Sequence, residues 1–364
     1  MISRITLLAL TAAIFAAAPV AAQDSVVITH TLPQLEKLWR ARIETFLARG
    51  MIPLVDLESS LKRKDAERYL NQALEVMDDL GLALIAFDGF QAPGSDKNKG
   101  KGYRWGYDIH KVVNAHPDRF VLATNGGTNK NWLEGKGNFT DQVVEQVRSG
   151  TYPIMGEFDF CHYMSNSQCK KGRTDRDSEI PLDGEDGQRL FQLSEETGVP
   201  FVIHLEAEDG PLDALERMLG RHPRAQAIVA HFGQIRHPAR QRRFGPALVR
   251  RLLATYPNLY YDLATGQPNR RYACNNDVFD TVIWRTSAGR QSDTLGPEYK
   301  AILTDFSRRF VVGTDYGGGR ATLPSFLRQK VGNIRLILRD LPDRARHDIG
   351  YRNAWRLLTG KPWQ

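Results

Sequence analysis

Three apolar segments in the second half of the chain each end in a chemically capable polar residue. They are PFVIHLEA at residues 200–207, AIVAHFGQ at residues 227–234 and RFVVGTDYG at residues 309–317. Each begins with a run rich in Val, Ile and Phe, which is typical of a buried parallel strand, and then continues into a polar loop. The intervening patterns PLDALERMLGRHP and ALVRRLLATYP predict amphipathic helices that end before His-Pro and Tyr-Pro. The repeating unit is therefore a strand followed by a helix.

The same unit recurs along the rest of the chain. Five further apolar runs predict strands: IPLVDLE (residues 52–58), LALIAFDG (82–89), RFVLATNG (119–126), YPIMGEFDF (152–160) and NLYYDLATG (258–266). Eight such pairs without a break in composition favour a closed (β/α)8 barrel of the α/β class, a TIM barrel, over an open sheet. Residues 51–364 are predicted to form this single barrel, and residues 23–50 an N-terminal helical extension packed outside it.

Composition and charge narrow the function classes. The 364 residues are 41% hydrophobic and 25% charged, which is ordinary for a globular protein and excludes disordered, collagen-like and coiled-coil chains. The net charge of +7 arises from 49 Lys and Arg against 42 Asp and Glu. Only Arg240, Arg242 and Arg243 form a dense basic group, so no nucleic-acid partner is predicted.

The first 22 residues have the pattern of a signal peptide. A basic start is followed by the apolar run of residues 5–18, and small residues precede a predicted cleavage site after Ala22. The apolar run is shorter than the roughly 20 residues that a membrane-spanning helix needs. We therefore expect a periplasmic or secreted protein without a membrane anchor.

Export permits disulfide bonds, and the chain has three cysteines. Cys161 and Cys169 lie in one polar stretch, CHYMSNSQCKK, where a local bridge would close a loop. In that case Cys274 is a spare thiol. The residues leave open whether this bridge forms.

Catalytic residues of such barrels lie at the carboxyl ends of the strands, because the loops that follow the strands converge there. The polar residues predicted at those ends are Asp56, Glu58, Asp88, Glu157, Asp159, His204, Glu206, His231, Asp262 and Asp315.

The motifs VIHLEA, VAHFGQ and VGTDYG, with the tail GYRNAWRLL at residues 350–358, resemble the amidohydrolase-related (amidohydrolase 2) family of the metal-dependent hydrolase superfamily. This family contains aminocarboxymuconate-semialdehyde decarboxylases, related benzoate decarboxylases and a pyrone-dicarboxylate lactonase. The resemblance extends over nearly the whole mature chain. It implies a barrel enzyme that acts on carboxylated aromatics or lactones, and it also implies a homodimer.

The resemblance further implies a set of metal ligands, of which His204, His231 and Asp315 are present. The family's His-x-His at the end of the first strand is absent, because Glu58 and Ser60 occupy those positions. A carboxylate is a good ligand for a divalent metal and a serine hydroxyl is a poor one. A site of Glu58, His204, His231 and Asp315 would suit Zn²⁺, Mn²⁺ or Fe²⁺, whereas the lactonase branch implies catalysis without metal.

The predicted roles have structural alternatives. Asp315 is the candidate general base that takes a proton from water, with His231 beside it, but it could instead only cap a loop. His204 and His231 could be hydrogen-bonded core histidines. Glu58 could form a buried salt bridge in place of ligating a metal.

Arginines in the loops after the predicted strands are candidates for binding an anionic substrate, since guanidinium groups bind carboxylates with two parallel hydrogen bonds. Arg236 and Arg240 follow His231, and Arg270 follows the seventh predicted strand. Arg104 and Trp105, after the second strand, could complete the pocket. The alternative is an ordinary solvated basic surface.

These features predict an exported hydrolase that cleaves a small carboxylated ester, lactone or amide with activated water. Non-oxidative decarboxylation of a carboxylated aromatic is the second reading, because residue types alone do not separate the two reactions. A barrel that has lost catalysis and only binds a ligand is the third, motivated by the missing histidines of the first strand.

Overall fold

The computed structural model of the protein describes residues 28–60, 66–88, 109–127, 130–135, 139–174, 177–317 and 324–364. The α-helices are α1 (Leu32–Ala48), α2 (Ala66–Leu80), α3 (Ile109–Ala115), α4 (Lys130–Leu133), α5 (Phe139–Arg148), α6 (Asn166–Cys169), α7 (Glu185–Thr197), α8 (Asp209–Arg221), α9 (Pro246–Thr255), α10 (Pro297–Asp305), α11 (Pro324–Arg339), α12 (Asp343–His347) and α13 (Asn353–Thr359). The strands are β1 (Leu54–Ser60), β2 (Leu82–Asp88), β3 (Phe120–Leu122), β4 (Met155–His162), β5 (Ser178–Glu179), β6 (Phe201–Leu205), β7 (Ala227–Val229), β8 (Leu259–Asp262), β9 (Arg271–Tyr272), β10 (Asn275–Phe279), β11 (Trp284–Ser287), β12 (Arg290–Leu295) and β13 (Phe310–Val311). The predicted signal peptide of residues 1–22 lies outside the described residues, as do Arg104 and Trp105.

All eight predicted strands are present, as β1, β2, β3, β4, β6, β7, β8 and β13. Every residue of β1 and β2 is buried, on both faces of the strand. This is the pattern of parallel strands that are covered on both sides, and it explains why these segments are almost continuously apolar in sequence.

The strands form two main sheets. One has the order β1-β2-β3, and the other has the order β13-β8-β7-β6-β4-β5. All neighbours in these sheets are parallel except β5, which runs antiparallel to β4. These ladders confirm the predicted α/β class, but they do not by themselves make the predicted closed cylinder of eight strands.

Isolated parallel bridges lie at the two seams between the sheets. Asp56 in β1 pairs with Val312, and Ala123 after β3 pairs with Ile154 before β4. At the first seam the Leu57 N–H donates to the Val312 carbonyl oxygen at 2.9 Å, and at the second the Thr124 N–H donates to the Ile154 carbonyl oxygen at 3.1 Å. The first seam brings the end of β1 next to the residues that follow β13.

Amphipathic helices bury their apolar stripes against the sheets. In α11 the buried residues Leu327, Val331, Ile334 and Leu338 recur at intervals of three or four, which places them on one face of the helix. The N-terminal helix α1 likewise buries Trp39, whose indole nitrogen donates to the Pro117 carbonyl oxygen at 3.0 Å. Across the described ranges, no helix is both long and apolar enough to cross a bilayer.

The bridge between Cys161 and Cys169, which the sequence leaves open, does not form. Cys169 in α6 is bonded to Cys274, with the two Cα atoms 5.4 Å apart, and Cys161 is a free, buried thiol. The physical reason is that Cys161 lies within β4 with its side chain in the interior, whereas α6 packs against the turn that joins β9 and β10. Asn166 fastens the same contact, because its side chain bonds the Arg271 carbonyl oxygen at 3.0 Å and the Ala273 N–H at 2.8 Å.

Candidate active site

Polar side chains meet at the carboxyl ends of β1, β4, β6, β7 and β8. Two of the positions have left-handed backbone, with φ of 59° at His231 after β7 and 47° at Asp315 after β13. This conformation is unfavourable for residues other than glycine, and it is often found at functional sites. Side-chain contacts hold both turns, since the His231 N–H donates to Asp262 at 2.8 Å and the Asp315 N–H donates to Glu58 at 3.1 Å.

Three side chains converge to within hydrogen-bond distance of one another. His204 Nδ1 is 2.9 Å from Glu157 Oε1 and 3.1 Å from His231 Nε2, and His231 Nε2 is 3.4 Å from the same Glu157 oxygen. His204 and His231 are buried, and the side chain of Glu157 is only 10% exposed. We call these three residues the histidine–glutamate cluster.

The histidine–glutamate cluster has the geometry of a metal site. Metal–ligand bonds of about 2.0–2.2 Å place neighbouring ligand atoms about 3.0–3.5 Å apart, and the three observed separations are close to that range. His231 Nδ1 lies 2.8 Å from the Ala264 carbonyl oxygen, which can only accept, so this nitrogen carries the hydrogen and Nε2 presents its lone pair to the cluster. Glu206 lies 3.4 Å from His204 Nε2, which in the same way leaves His204 Nδ1 for a metal.

A second group of possible ligands shares His231. Glu58, His231 and Asp262 offer ligand atoms that all lie within 4.8 Å of one another, and all three residues are buried. One oxygen of Asp262 accepts from the backbone N–H groups of His231 and Ala264. The other oxygen is buried and has no hydrogen-bond partner among the described residues. The described residues can therefore hold a divalent cation, as predicted, with carboxylates on both sides of His231.

Negative charge accumulates at this end of the strands. Burial, and after it the charge of Glu157 and Asp262, raises the pKa of Glu58 well above its usual value. Burial also raises the pKa of Asp262 to about 6, although His231 and two backbone N–H groups oppose the shift. Such neighbouring buried carboxylates are stabilised when they share a proton or a cation.

The histidine–glutamate cluster itself is an ion pair when no metal is bound. Burial alone would raise the pKa of Glu157, but the hydrogen bond from His204 and the contact with His231 hold it well below its usual value. Burial would lower the pKa of His204, but its hydrogen bonds with Glu157 and Glu206 raise it to about 9. A metal ion would take the place of the proton that His204 carries, as is usual for histidine ligands.

Arg236 and Glu206 form a buried ion pair on the Nε2 side of the His204 ring. The Arg236 Nη1 atom donates to Glu206 Oε1 at 2.9 Å and to the Tyr163 carbonyl oxygen at 2.7 Å. The two side chains are 6% and 2% exposed. Burial opposes ionisation of Glu206, but the charge of Arg236 lowers its pKa, so that Glu206 stays ionised beside His204. Arg236, predicted to bind substrate, therefore has its Nη1 committed to this pair.

Asp56 has a structural role. Its carboxylate accepts hydrogen bonds from the Glu58 N–H at 3.0 Å, the Ser59 hydroxyl at 2.7 Å and the Thr314 N–H at 3.0 Å. Burial nevertheless raises the pKa of Asp56 to about 7. The residue thus ties the end of β1 to the segment after β13, and it holds Glu58 in position.

A small cleft with a volume of about 10 Å³, room for about one water molecule, lies against Glu58 and Glu157 at the ends of β1, β2 and β4. Its walls are formed by Leu57, Glu58, Ser59, Ser60, Asp88, Ala123, Gly156, Glu157 and Asp315. Ser60 lines this cleft and belongs to neither group of possible ligands. The cleft joins the carboxylates of four different strand ends.

The structure does not bring Asp315 into either ligand group. Its side chain is 52% exposed, and Oδ2 lies 3.2 Å from Lys330 Nζ of α11. It still lines the cleft beside Glu58, and its role as general base remains a prediction.

The other two arginines that were predicted to bind substrate and that the structure describes, Arg240 and Arg270, have carboxylate partners. Arg240 is 54% exposed and lies 3.1 Å from Glu179, and it also donates to the Tyr163 hydroxyl. Arg270 lies 2.6 Å from the buried Asp280.

Glu157 and His162 are the residues that sequence reasoning did not select. The sequence patterns place Glu157 only among several polar residues at strand ends, and they do not single out His162. The His162 ring is buried, with its centroid 4.5 Å from that of His204. The pairing of β4 with β6 shifts register on both sides of Glu157 and Asp159, so simple alternation along the strand does not reveal which side chains point into the site. The polar strand-end pattern EFDFCH, read together with VIHLEA, is the signal that could have found them.

Comparisons with known proteins come from sequence and from structure. A sequence model of the family described as Amidohydrolase matches residues 170–359, just over half of the chain. The matched region contains His204, His231 and Asp315, whereas Glu58 and Glu157 precede it. No curated protein matches the chain.

Solved structures give weak likenesses. A Staphylococcus aureus protein assigned as an amidohydrolase is 11% identical with a TM-score of 0.49, over 84% of this chain and 99% of the other. A 2,6-dihydroxybenzoate decarboxylase from Rhizobium is 13% identical with a TM-score of 0.47, over 85% and 99%. A dihydroxybenzoic acid decarboxylase from Polaromonas sp. JS666, with bound manganese and 2-nitroresorcinol, is 12% identical with a TM-score of 0.46, over 85% and 97%. At these scores the likenesses carry no argument about chemistry.

Proposed function

The chain belongs to the amidohydrolase family, and from that premise we propose that it is an exported, metal-dependent hydrolase of a small carboxylated ester, lactone or amide. The observation that carries the proposal is the convergence of Glu157, His204 and His231, whose ligand atoms lie 2.9–3.4 Å apart. When bound there, a divalent cation would polarise the bond to be cleaved and make a water molecule more acidic.

The chain's own residues would divide the remaining work. His204 and His231 would hold the ion through the nitrogens that Glu206 and Ala264 leave uncovered. Asp315, on the wall of the same cleft, would accept the proton of the attacking water, and Lys330 would orient its carboxylate. The low exposure of the ligand groups would exclude bulk water and strengthen these interactions.

We propose that Arg240 supplies positive charge for an anionic substrate at the rim, because it is more exposed than Arg236 and Arg270. Arg104 and Trp105 remain candidates for the same pocket, as does a homodimeric assembly. Arg236 would act indirectly, by keeping Glu206 ionised behind His204.

The closure of the strands into a barrel is a further part of the proposal. We propose that β1, β2, β3, β4, β6, β7, β8 and β13 close into a (β/α)8 barrel. The bridges between Asp56 and Val312 and between Ala123 and Ile154 support closure, because they lie at the two edges where the sheets would join. In a closed barrel all eight strand ends converge on one rim, which is where the ligand groups meet.

Export to the periplasm or the medium is proposed from the signal-peptide pattern of residues 1–22. The disulfide between Cys169 and Cys274 supports it, since such bonds persist mainly in oxidising compartments. The amino-terminal sequence of the mature protein would test the predicted cleavage after Ala22.

Decarboxylation is the second candidate, and the dryness of the site favours it. Glu58, His204, Glu206, His231 and Asp262 are all less than 9% exposed. A substrate carboxylate drawn into such surroundings loses its hydration, and this favours loss of carbon dioxide.

The test combines metal analysis with a substrate panel. Purified mature protein is stripped with a chelator, reconstituted with Zn²⁺, Mn²⁺ or Fe²⁺, and assayed on lactones, aryl esters, amides and hydroxybenzoates. We expect about one bound ion and hydrolytic turnover. Glu157→Gln should lower metal affinity by about 10-fold or more and remove turnover. Glu145→Gln, at an exposed site in α5, is the matched control.

Asp315→Asn separates the proposed base from the ligands. It should remove turnover and leave metal affinity nearly unchanged, because Asp315 belongs to neither ligand group. Carbon dioxide without a hydrolytic product would establish decarboxylation instead. A protein that retains no metal and turns over nothing would be the inactive, ligand-binding barrel.

A further inference from the structure

A groove lies between α2 and α11, beside the residues that precede β1. It has a volume of about 290 Å³. Its walls are Met51, Ile52, Asp79, Leu80, Arg328, Val331, Gly332 and Arg335. Ile52 precedes β1 and Glu58 lies near its end, so about six residues of extended chain, or roughly 20 Å, separate the groove from the ligand groups.

The groove contains a positive charge without a negative partner. Arg335 is partly buried, and among the described residues its guanidinium makes one hydrogen bond, from Nη2 to the Leu80 carbonyl oxygen at 2.9 Å. No carboxylate of the described residues lies within 4 Å of this guanidinium, unlike those of Arg42 and Arg236. Arg328, at the same groove, is already paired with Asp79 at 3.2 Å.

The local backbone makes room for this guanidinium. Gly81 has a φ of +65°, and a Cβ atom there would lie 2.6 Å from Arg335 Nη2 and 3.0 Å from Met51 Cε. Burial lowers the pKa of Arg335, which means that the surroundings withdraw water from the charge without supplying a counter-charge. An anion that reaches the groove would gain charge-assisted hydrogen bonds in these surroundings.

The apolar residues of the groove indicate the chemistry of the rest of the ligand. Met51, Ile52, Leu80 and Val331 supply apolar surface beside the guanidinium. The volume lies just below the range of about 300–1,000 Å³ that is typical of pockets for drug-sized ligands. A smaller molecule with an anionic head and a short apolar body therefore matches both its size and its chemistry.

We propose that the groove between α2 and α11 is a binding site for a small amphipathic carboxylate, with Arg335 bound to the carboxylate and the apolar walls covering its hydrocarbon part. This site is separate from the proposed catalytic centre and does not depend on it. A structural role for Arg335 in capping the carboxyl end of α2 accounts for only one of its five N–H donors.

Calorimetry with three probes tests the proposal on the full chain. Hexanoate carries both the charge and the apolar body, inorganic phosphate carries only charge, and hexanol carries only the apolar body. We expect hexanoate to bind at least about 10-fold more tightly than either of the others. Phosphate or hexanol binding as tightly as hexanoate would overturn the proposed ligand chemistry.

Two variants assign the binding to this groove. Arg335→Met removes the charge and should weaken hexanoate by about 10-fold or more. Gly332→Leu fills the groove and keeps Arg335, and because a Cβ at Gly332 meets nothing within 4 Å, the variant should fold normally and lose hexanoate binding. Glu157→Gln, at the candidate active site, should bind hexanoate as the unmodified protein does.

The outcomes that overturn the proposal are distinct. Equal hexanoate binding by both groove variants, or loss of binding only in Glu157→Gln, would place the carboxylate elsewhere. Absence of hexanoate binding would remove the site. Light scattering on Gly332→Leu gives a further test. Dissociation of a dimer without any change in hexanoate affinity would show that the groove is a subunit interface and would overturn the proposal.

Discussion

Replacement of Arg236 by Met tests whether the buried ion pair behind His204 supports the fold of the site. The substitution keeps most of the side-chain volume and removes the charge. Glu206 would then remain buried, with its side chain only 2% exposed, and would lose the hydrogen bond of 2.9 Å that compensates its charge.

The expected loss follows from the burial of both partners. Removing one member of a buried ion pair costs about 3–5 kcal/mol, because the remaining charge is left without compensation. His204 lies 3.4 Å from Glu206 and is cationic when no metal is bound, so it compensates part of that charge. We therefore expect a loss near the lower limit, about 3 kcal/mol, in the free energy of unfolding.

Urea unfolding in the presence of a chelator measures this loss without a contribution from bound metal. Arg217→Met is the matched control, since Arg217 and Asp183 form a pair of 2.7 Å at side-chain exposures of 54% and 32%. Such an exposed pair should contribute only about 0.2–1 kcal/mol. The double variant Arg236→Met/Glu206→Gln should recover much of the loss. A single variant that loses no more than the control, or a double variant no more stable than the single one, would refute the reasoning.

Three further predictions concern the framework. Cys274→Ser opens a bond to Cys169 across a sequence separation of 105 and should cost about 2–5 kcal/mol, and a reductant should lower the urea midpoint of the unmodified protein to the same value and leave that of the variant unchanged. Gly50→Ala and Gly81→Ala both place alanine at positive φ, which costs about 1–2 kcal/mol. Only at Gly81 does the new Cβ also meet a side chain, at 2.6 Å from Arg335 Nη2, so this flexible side chain must move away from the Leu80 carbonyl oxygen. Gly81→Ala should therefore lose somewhat more stability in urea, and equal losses would contradict this. Trp39→Ala should cost about 3–5 kcal/mol, because the ring is fully buried, and a loss near zero in calorimetry would show that α1 is dispensable.

The sequence predicted the strands well because parallel strands buried on both faces leave a strong local signal. The run IPLVDLE became β1 and LALIAFDG became β2, each with every residue buried. The hairpins β9–β10 and β11–β12 were missed, because the sequence of residues 271–295 is polar and has no clear alternation. The pairing of Cys169 with Cys274 depends on how α6 packs against this insertion, which no local pattern encodes.

The site was predictable where position along a strand decides the outcome. His204 and His231 follow apolar runs directly, so their meeting follows from the parallel pairing of β6 and β7. The orientation of Asp315 depends on a left-handed turn and on Lys330 from a helix that comes later in the chain, and neither is visible in the motif VGTDYG. Glu157 was not selected because the register shifts in β4 determine where its side chain points.

The carboxylate of Glu58 in the first strand determines much of the charge of the site. Glu58 brings a buried carboxylate next to Glu157 and Asp262, and burial first, then the charges of these two neighbours, raises its pKa. Two imidazoles with several carboxylate oxygens form a harder donor set than a site rich in histidine, which favours Mn²⁺ or Fe²⁺ relative to Zn²⁺. A divalent cation would offset two of the three negative charges of Glu58, Glu157 and Asp262. Without the cation, a proton on Glu58 reduces the repulsion between these carboxylates. Metal binding and deprotonation of Glu58 are therefore expected to be linked, so that apparent metal affinity rises with pH as this carboxyl group loses its proton.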